Sequence, residues 1–245
     1  MTALVSPGAA GHGRRPVDDG VAPTVPELGS IFARRVLPYV VVWFVVLAGA
    51  GWSLGHPLKS ALAPEDGVSR WFAAHRSPGW NTVTDVLSHV ANTGSIIVST
   101  AAACLVYWLV TRRLRDVLPL AIGVFTQAGV FLLTTLVIDR PRPQVPKLDQ
   151  SPPTSSFPSG HTGASAALYF GLVLLCVRRF PSLRARVLSA VGFGLIPFAV
   201  GTARLYRGMH HPSDVLFGLL NGLVCAVVAY LALRPAPSSV TKAAS

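Results

Sequence analysis

Residues 158–177 read PSGHTGASAALYFGLVLLCV. The polar cluster Pro158-Ser159-Gly160-His161 opens directly onto an apolar run, which predicts a helix N-terminus at the mouth of a membrane-spanning segment. Ser159 stands where an N-cap is expected, and Gly160 permits close approach to the backbone. First-turn amides have no intrahelical acceptor and the helix dipole lies behind them, so together they favour an anion. His161 sits at the same helix end and can reach that anion. Histidine is the usual proton donor near neutral pH.

Outward from this stretch, the same hydropathy recurs. Six segments reach the length needed to cross a bilayer, about 17–25 residues: 37–55, 91–111, 117–138, 161–177, 187–203 and 214–233, the fourth and fifth near the lower limit. Only 13% of the 245 residues are charged and the mean hydropathy is +0.52, against about 25% charged in a soluble domain. The expected fold is therefore all-α, a six-transmembrane-helix bundle over residues 37–234. The formal charge of +11 raises the question of nucleic acid. The basic residues form no continuous stripe, however, and most flank apolar spans, so no nucleic-acid partner is expected. Cys104, Cys176 and Cys225 all fall inside apolar runs and read as packing residues, with neither zinc-site nor disulfide spacing.

Residues 56–90 are too polar to cross. Val68, Trp71, Phe72, Val83, Val86, Leu87 and Val90 recur at near-helical spacing beside Arg70, His75 and Arg76. This predicts one amphipathic helix, either in the headgroup layer or packed on the bundle. Residues 1–36, rich in Gly, Pro and Ala, read as a disordered tail, and 235–245 as a short flexible one. The first span is expected to be an uncleaved anchor. Arginines cluster in 112–116, in 178–186 and in the N-terminal tail, where Arg14, Arg15, Arg34 and Arg35 lie. By the positive-inside rule these segments are cytoplasmic, so both termini are cytoplasmic and connections 139–160 and 204–213 face outward. Within the spans, Gly218 and Gly222 read as helix packing. Asn221 and Gln127 read as inter-helix hydrogen-bond partners.

Those two outward connections carry the chemistry. Arg142 and Arg204 sit at the edges of different spans, where a guanidinium is costly without an anionic partner. Two planar forks can each bind phosphate oxygens bidentately. Asp214 falls in the first turn of the last span, which Pro212 favours starting. It stands four residues after His210, so its carboxylate is expected to fix the His210 tautomer and direct the other ring nitrogen at substrate. His211 is an alternative partner with less apt spacing.

Taken together, the clusters resemble the type 2 phosphatidic acid phosphatases, the membrane-bound lipid phosphatase branch of the acid phosphatase and vanadium haloperoxidase superfamily. That family's signature is Lys-x6-Arg-Pro, then Pro-Ser-Gly-His, then Ser-Arg-x5-His-x3-Asp. Here Pro158-Ser159-Gly160-His161 is intact, the third piece reads Ala203-Arg204-x5-His210-x3-Asp214, and the first keeps Arg142-Pro143. The resemblance implies that His210 attacks phosphorus to form a phosphohistidine, Asp214 orients it and His161 protonates the leaving oxygen. It implies that Arg142, Arg204, Ser159 and the Gly160 amide bind the phosphate oxygens. No metal and no cofactor are implied; the expected partners are the bilayer and a lipid substrate.

Two positions depart from the signature. Thr135 stands where the family has lysine, and Ala203 replaces a serine. Arg140, Lys147 and Arg207 are the candidate replacements for the missing cation. Losing one positioned donor costs on the order of 10²–10³ in rate. The expected activity is hydrolysis of a terminal phosphate on polyprenyl diphosphate, phosphatidate or phosphatidylglycerol phosphate, with an outward-facing site in the plasma membrane favouring the first. The alternatives are a lipid phosphotransferase and, because of Thr135, an impaired lipid-binding or transport protein.

Overall fold

The computed structural model describes residues 23–151 and 153–233. Eight helices lie among them, and the described residues contain no strand: α1 Val25–Gly55, α2 Ala63–Ala74, α3 Pro78–Val90, α4 Thr93–Thr111, α5 Leu114–Val137, α6 Gly160–Arg179, α7 Leu183–Tyr206 and α8 Pro212–Leu233. Six of these (α1, α4, α5, α6, α7 and α8) are long and apolar enough to span a bilayer. The chain is thus a multi-pass integral membrane protein. Large apolar side chains such as Leu105, Leu132, Leu136, Leu188 and Leu195 point outward, as lipid-facing surfaces require.

The fourth and fifth spans are longer than their hydropathy indicates. The helical backbone of α6 runs through Arg178 and Arg179, and that of α7 adds residues 183–186 and 204–206. Charged ends continue a helix into the headgroup layer, where a hydropathy window stops counting.

The last twelve residues assigned above to the tail are also helical, a correction to that boundary. Thr24 and Glu27 form a reciprocal capping box, and Pro26 sits in the first turn. The turn Phe32–Val36 is π-helical. The remainder of the assigned N-terminal tail, residues 1–22, and the C-terminal 235–245 lie outside the described residues.

The single amphipathic helix expected over 56–90 is two helices. Ser77 breaks it, its hydroxyl accepting from the Trp80 amide at 3.4 Å, with Pro78 following as a first-turn residue. One face of the pair packs on α7. Phe72 meets the Tyr206 ring edge-on, and Arg76 donates to the Tyr206 carbonyl at 3.0 and 3.2 Å. The other face leaves Trp71, Trp80, Val83 and Val86 exposed.

α6 and α8 cross at the centre. A Cβ at Gly218 would stand 2.7 Å from the Ser159 carbonyl, and one at Gly222 would stand 2.4 Å from the Gly163 carbonyl. These glycines therefore set the inter-helix distance, as small residues do in membranes. Asn221 is fully buried between helices. It accepts from the Trp43 indole at 3.0 Å and donates to the Gln127 carbonyl at 3.5 Å. Gln127 thus takes part through its backbone. Cys225 is buried in the core with Leu47, Leu54, Val130, Ile138 and Phe157, while Cys104 and Cys176 are half-buried free thiols.

Candidate functional site

All three clusters meet at one end of the bundle. The loop between α5 and α6 is pinned there by Phe157, which is fully buried against α1; a Cβ on Gly51 would touch its ring at 2.7 Å. The Ser156 amide donates to the Arg140 carbonyl at 2.8 Å, fixing the loop a second time. On the α6 side, the Ser159 amide donates to the Asp214 carbonyl at 2.9 Å, tying the start of α6 to the start of α8. Between α7 and α8 the chain reverses at Gly208, whose φ of +73° suits glycine, and this turn delivers His210.

A cavity of about 550 Å³ opens at this end. His161, His210, Arg142, Arg204 and Gly160 line it, so five of the seven expected site residues share one space. Ser88, His89, Asn92, Asp149 and Gln150 add polar groups, and Ile96, Ile97, Phe125, Ala128, Phe131 and Ala164 form an apolar wall. Ile97 and Phe125 belong at the same time to the exposed apolar surface. The cavity is thus continuous with the face that meets lipid tails.

The guanidiniums are held but not saturated. Arg142 donates to the Met209 carbonyl at 2.9 Å and weakly to that of Ser155 at 3.4 Å. Arg204, only 3% exposed, donates to the Ser88 hydroxyl at 3.2 Å and to the Asp149 carboxylate. In both arginines the Nε–H is buried without a partner. Such orphaned donors are expensive, and both arginines belong to the lining of the one cavity.

His210 is buried, and its Nδ1 lies 2.7 Å from the Ser156 carbonyl. A carbonyl only accepts, so Nδ1 carries the proton and Nε2 keeps its lone pair. This corrects the expected pairing. Asp214 is 3.9 Å from His210 Nδ1, beyond hydrogen-bond range. Its carboxylate instead accepts from the His211 amide at 2.8 Å and from His211 Nδ1 at 3.1 Å, and also binds Arg140. The cause is local. Four-residue spacing aligns side chains only within a helix, and His210 precedes α8. Asp214, three residues inside its cap, reaches back to the cap amide as capping-box acids do.

Ser159 occupies the N-cap position, but its hydroxyl pairs with that of Thr162 at 2.8 Å and makes no cap bond. Gly160 lies under Phe131, whose ring would stand 2.8 Å from a Cβ there and would have to shift to admit one. Thr135 donates to the Leu132 carbonyl at 2.8 Å and stands off the cavity. None of the three candidate replacements for lysine lines the cavity. Arg140 is bound by Glu65 and Asp214, Arg207 by Asp85 and Asp149, and Lys147 is exposed.

Asp149 is the site residue that local pattern missed. Its carboxylate bridges Arg204 and Arg207 in the cavity wall. Burial pushes the carboxyl up, but the hydrogen bonds and charges of Arg207 and Arg204 outweigh this and hold it below the usual carboxylate range. Its one sequence signal is an acid inside an arginine-rich connection.

Comparison with known proteins follows the same geometry. The family model described as PAP2 superfamily matches residues 116–237. Phosphatidylglycerophosphatase B of Bacillus subtilis (strain 168) is 27% identical over 188 residues, spanning 75% of this chain and 87% of that protein. Among solved structures, the transmembrane PAP2 type phosphatidylglycerolphosphate phosphatase from Bacillus subtilis superposes with a TM-score of 0.67 at 24% identity, over 78% of this chain and 92% of that one. Aquifex aeolicus LpxE gives 0.52 at 21% identity, over 66% and 92%. At these identities the two structures speak to the fold.

Proposed function

This chain belongs to the PAP2 superfamily, and we propose that it removes the terminal phosphate of a membrane lipid phosphate or diphosphate through a phosphohistidine on His210. The observation that carries this reading is the His210 tautomer: the Ser156 carbonyl fixes the proton on Nδ1, leaving the Nε2 lone pair for phosphorus. In the first step the Nε2–P bond forms and the bond from phosphorus to the lipid oxygen breaks. His161 gives its proton to that oxygen as it leaves. Water then attacks the phosphohistidine, returns a proton to His161 and releases inorganic phosphate.

The Arg142 and Arg204 guanidiniums in the cavity lining, with the Gly160 amide at the start of α6, support binding of the equatorial oxygens. Ser159 serves here by docking the start of α6 on Asp214, its hydroxyl being engaged with Thr162. Asp214, 3.9 Å from Nδ1, stabilises the positive charge the ring gains on phosphorylation. The apolar wall, continuous with the lipid-facing surface, supports an acyl or prenyl chain on the substrate. On this reading the site faces away from the cytoplasm, in the plasma membrane.

The test is phosphate release by purified protein in detergent with EDTA, offered phosphatidylglycerol phosphate, phosphatidate and polyprenyl diphosphate beside His210→Ala. The first is included on the name of the Bacillus relative. Release that persists in EDTA and is lost in the variant is expected, and the preferred lipid names the substrate. No release from any of the three by folded protein contradicts the reading.

A further inference from the structure

The first turn of α2 does not belong to the motifs, yet it reaches beneath them. Glu65 stands there after Pro64, with its side chain 13% exposed. Its Oε1 accepts from the Ser213 amide at 2.8 Å. Its Oε2 accepts from the Ser213 hydroxyl and from Arg140 Nη2, both at 2.9 Å. Arg140 in turn donates through Nη1 to the Ser213 hydroxyl at 2.7 Å and to Asp214 Oδ1. Glu65 and Asp214 therefore hold one arginine by its two terminal nitrogens.

The same carboxylate caps the first turn of α8, where a negative charge is favoured by the unpaired amides and the helix dipole. Arg140 is 7% exposed and Asp214 fully buried. In such surroundings hydrogen bonds between charged groups are strong and directional, and loss of one partner strands the others. Asp214 is also the residue that accepts from the His211 amide and whose carbonyl holds the start of α6. Displacing Asp214 thus moves His210, one residue before that amide, and Gly160, one residue after Ser159.

We propose that Glu65 is a positioning residue for the phosphoryl-transfer site, acting through Arg140 and Ser213 on Asp214 without touching substrate. The proposal rests on the histidine phosphatase reading above. It assigns the polar end of α2 a role in catalysis, while Trp71 on the same helix stays exposed.

The experiment measures kcat and KM for phosphate release from phosphatidylglycerol phosphate by full-length protein in nanodiscs. The variants are Glu65→Gln, Glu65→Asp and His210→Ala, with Tm for each. A positioning role predicts that Glu65→Gln lowers kcat about 10- to 100-fold with KM within about twofold. Glu65→Asp, which keeps the charge one methylene short, should recover part of that loss. Wild-type kcat in a folded Glu65→Gln protein overturns the proposal while leaving the histidine reading intact, as does a change confined to KM. If Glu65→Gln does not fold, Glu65→Asp decides alone, and unchanged kcat in it overturns the proposal. The preferred lipid of the three above replaces phosphatidylglycerol phosphate where that is not hydrolysed; wild-type protein with no release from any of the three, or release that survives in His210→Ala, overturns the histidine reading itself.

Discussion

Burial and the neighbouring Arg204 and Arg142 guanidiniums push the His210 imidazole well below the ordinary histidine range near 6.5. A depressed value means the ring stays neutral, and so nucleophilic, at pH 6–7 and below. Activity lost through His210 protonation should therefore fall on acidification only beneath the ordinary histidine range. A kcat/KM profile with its acid limb centred at 6.5 or above would contradict this. Asp149 makes a prediction of opposite sign to most site variants. Its carboxylate engages Arg204, so it competes with phosphate for that guanidinium. Asp149→Asn should tighten inhibition by inorganic phosphate by roughly 1 kcal/mol, about fivefold, through loss of like-charge repulsion. An unchanged or weaker inhibition constant would mean that Asp149 serves to hold Arg204 in place.

Among the elements, the α6–α8 crossing positions the two histidines, because each helix start carries one and the glycines set their separation. Gly222→Val places atoms where the Gly163 carbonyl and the Ala166 Cβ already stand. It should cost about 1–3 kcal/mol or more, read as a lower Tm in detergent, with activity falling as the helix starts part. Gly192→Val on α7, where nothing lies within 4 Å of a Cβ, is the control expected to leave Tm nearly unchanged. The spans themselves were legible because hydropathy is a local property, and the Pro158–His161 start of α6 was legible because capping chemistry is local too. Capping is also what the N-terminal reading overlooked, since Thr24 and Glu27 carry a helix-start spacing inside a Gly- and Pro-rich stretch. The Asp214 partner was misassigned because helical spacing was applied to His210, which lies outside the helix. Asp149 carries only the weak signal of an acid among arginines, and Glu65 carries none. Their partners lie 55 to 148 positions away, and only the folded chain brings them to the site.

At the scale of the whole molecule, the arginine-rich 178–186 connection lies at the end of α6 opposite the site, and the proposed outward-facing site makes a definite prediction for labelling. With Gln144→Cys and Arg184→Cys, both exposed positions, a membrane-impermeant maleimide on intact cells should label the first and miss the second until the membrane is opened. The reverse pattern would turn the site toward the cytoplasm. Wild-type protein serves as the background for the three native thiols. The account as a whole stands on transfer through His210, and the most direct measurement is a rapid quench with phosphatidylglycerol phosphate labelled in its terminal phosphate. An acid-labile, base-stable phosphoryl group on wild-type protein, absent in His210→Ala, is the predicted result. Phosphate release with no such intermediate, or the same label persisting in His210→Ala, would contradict it.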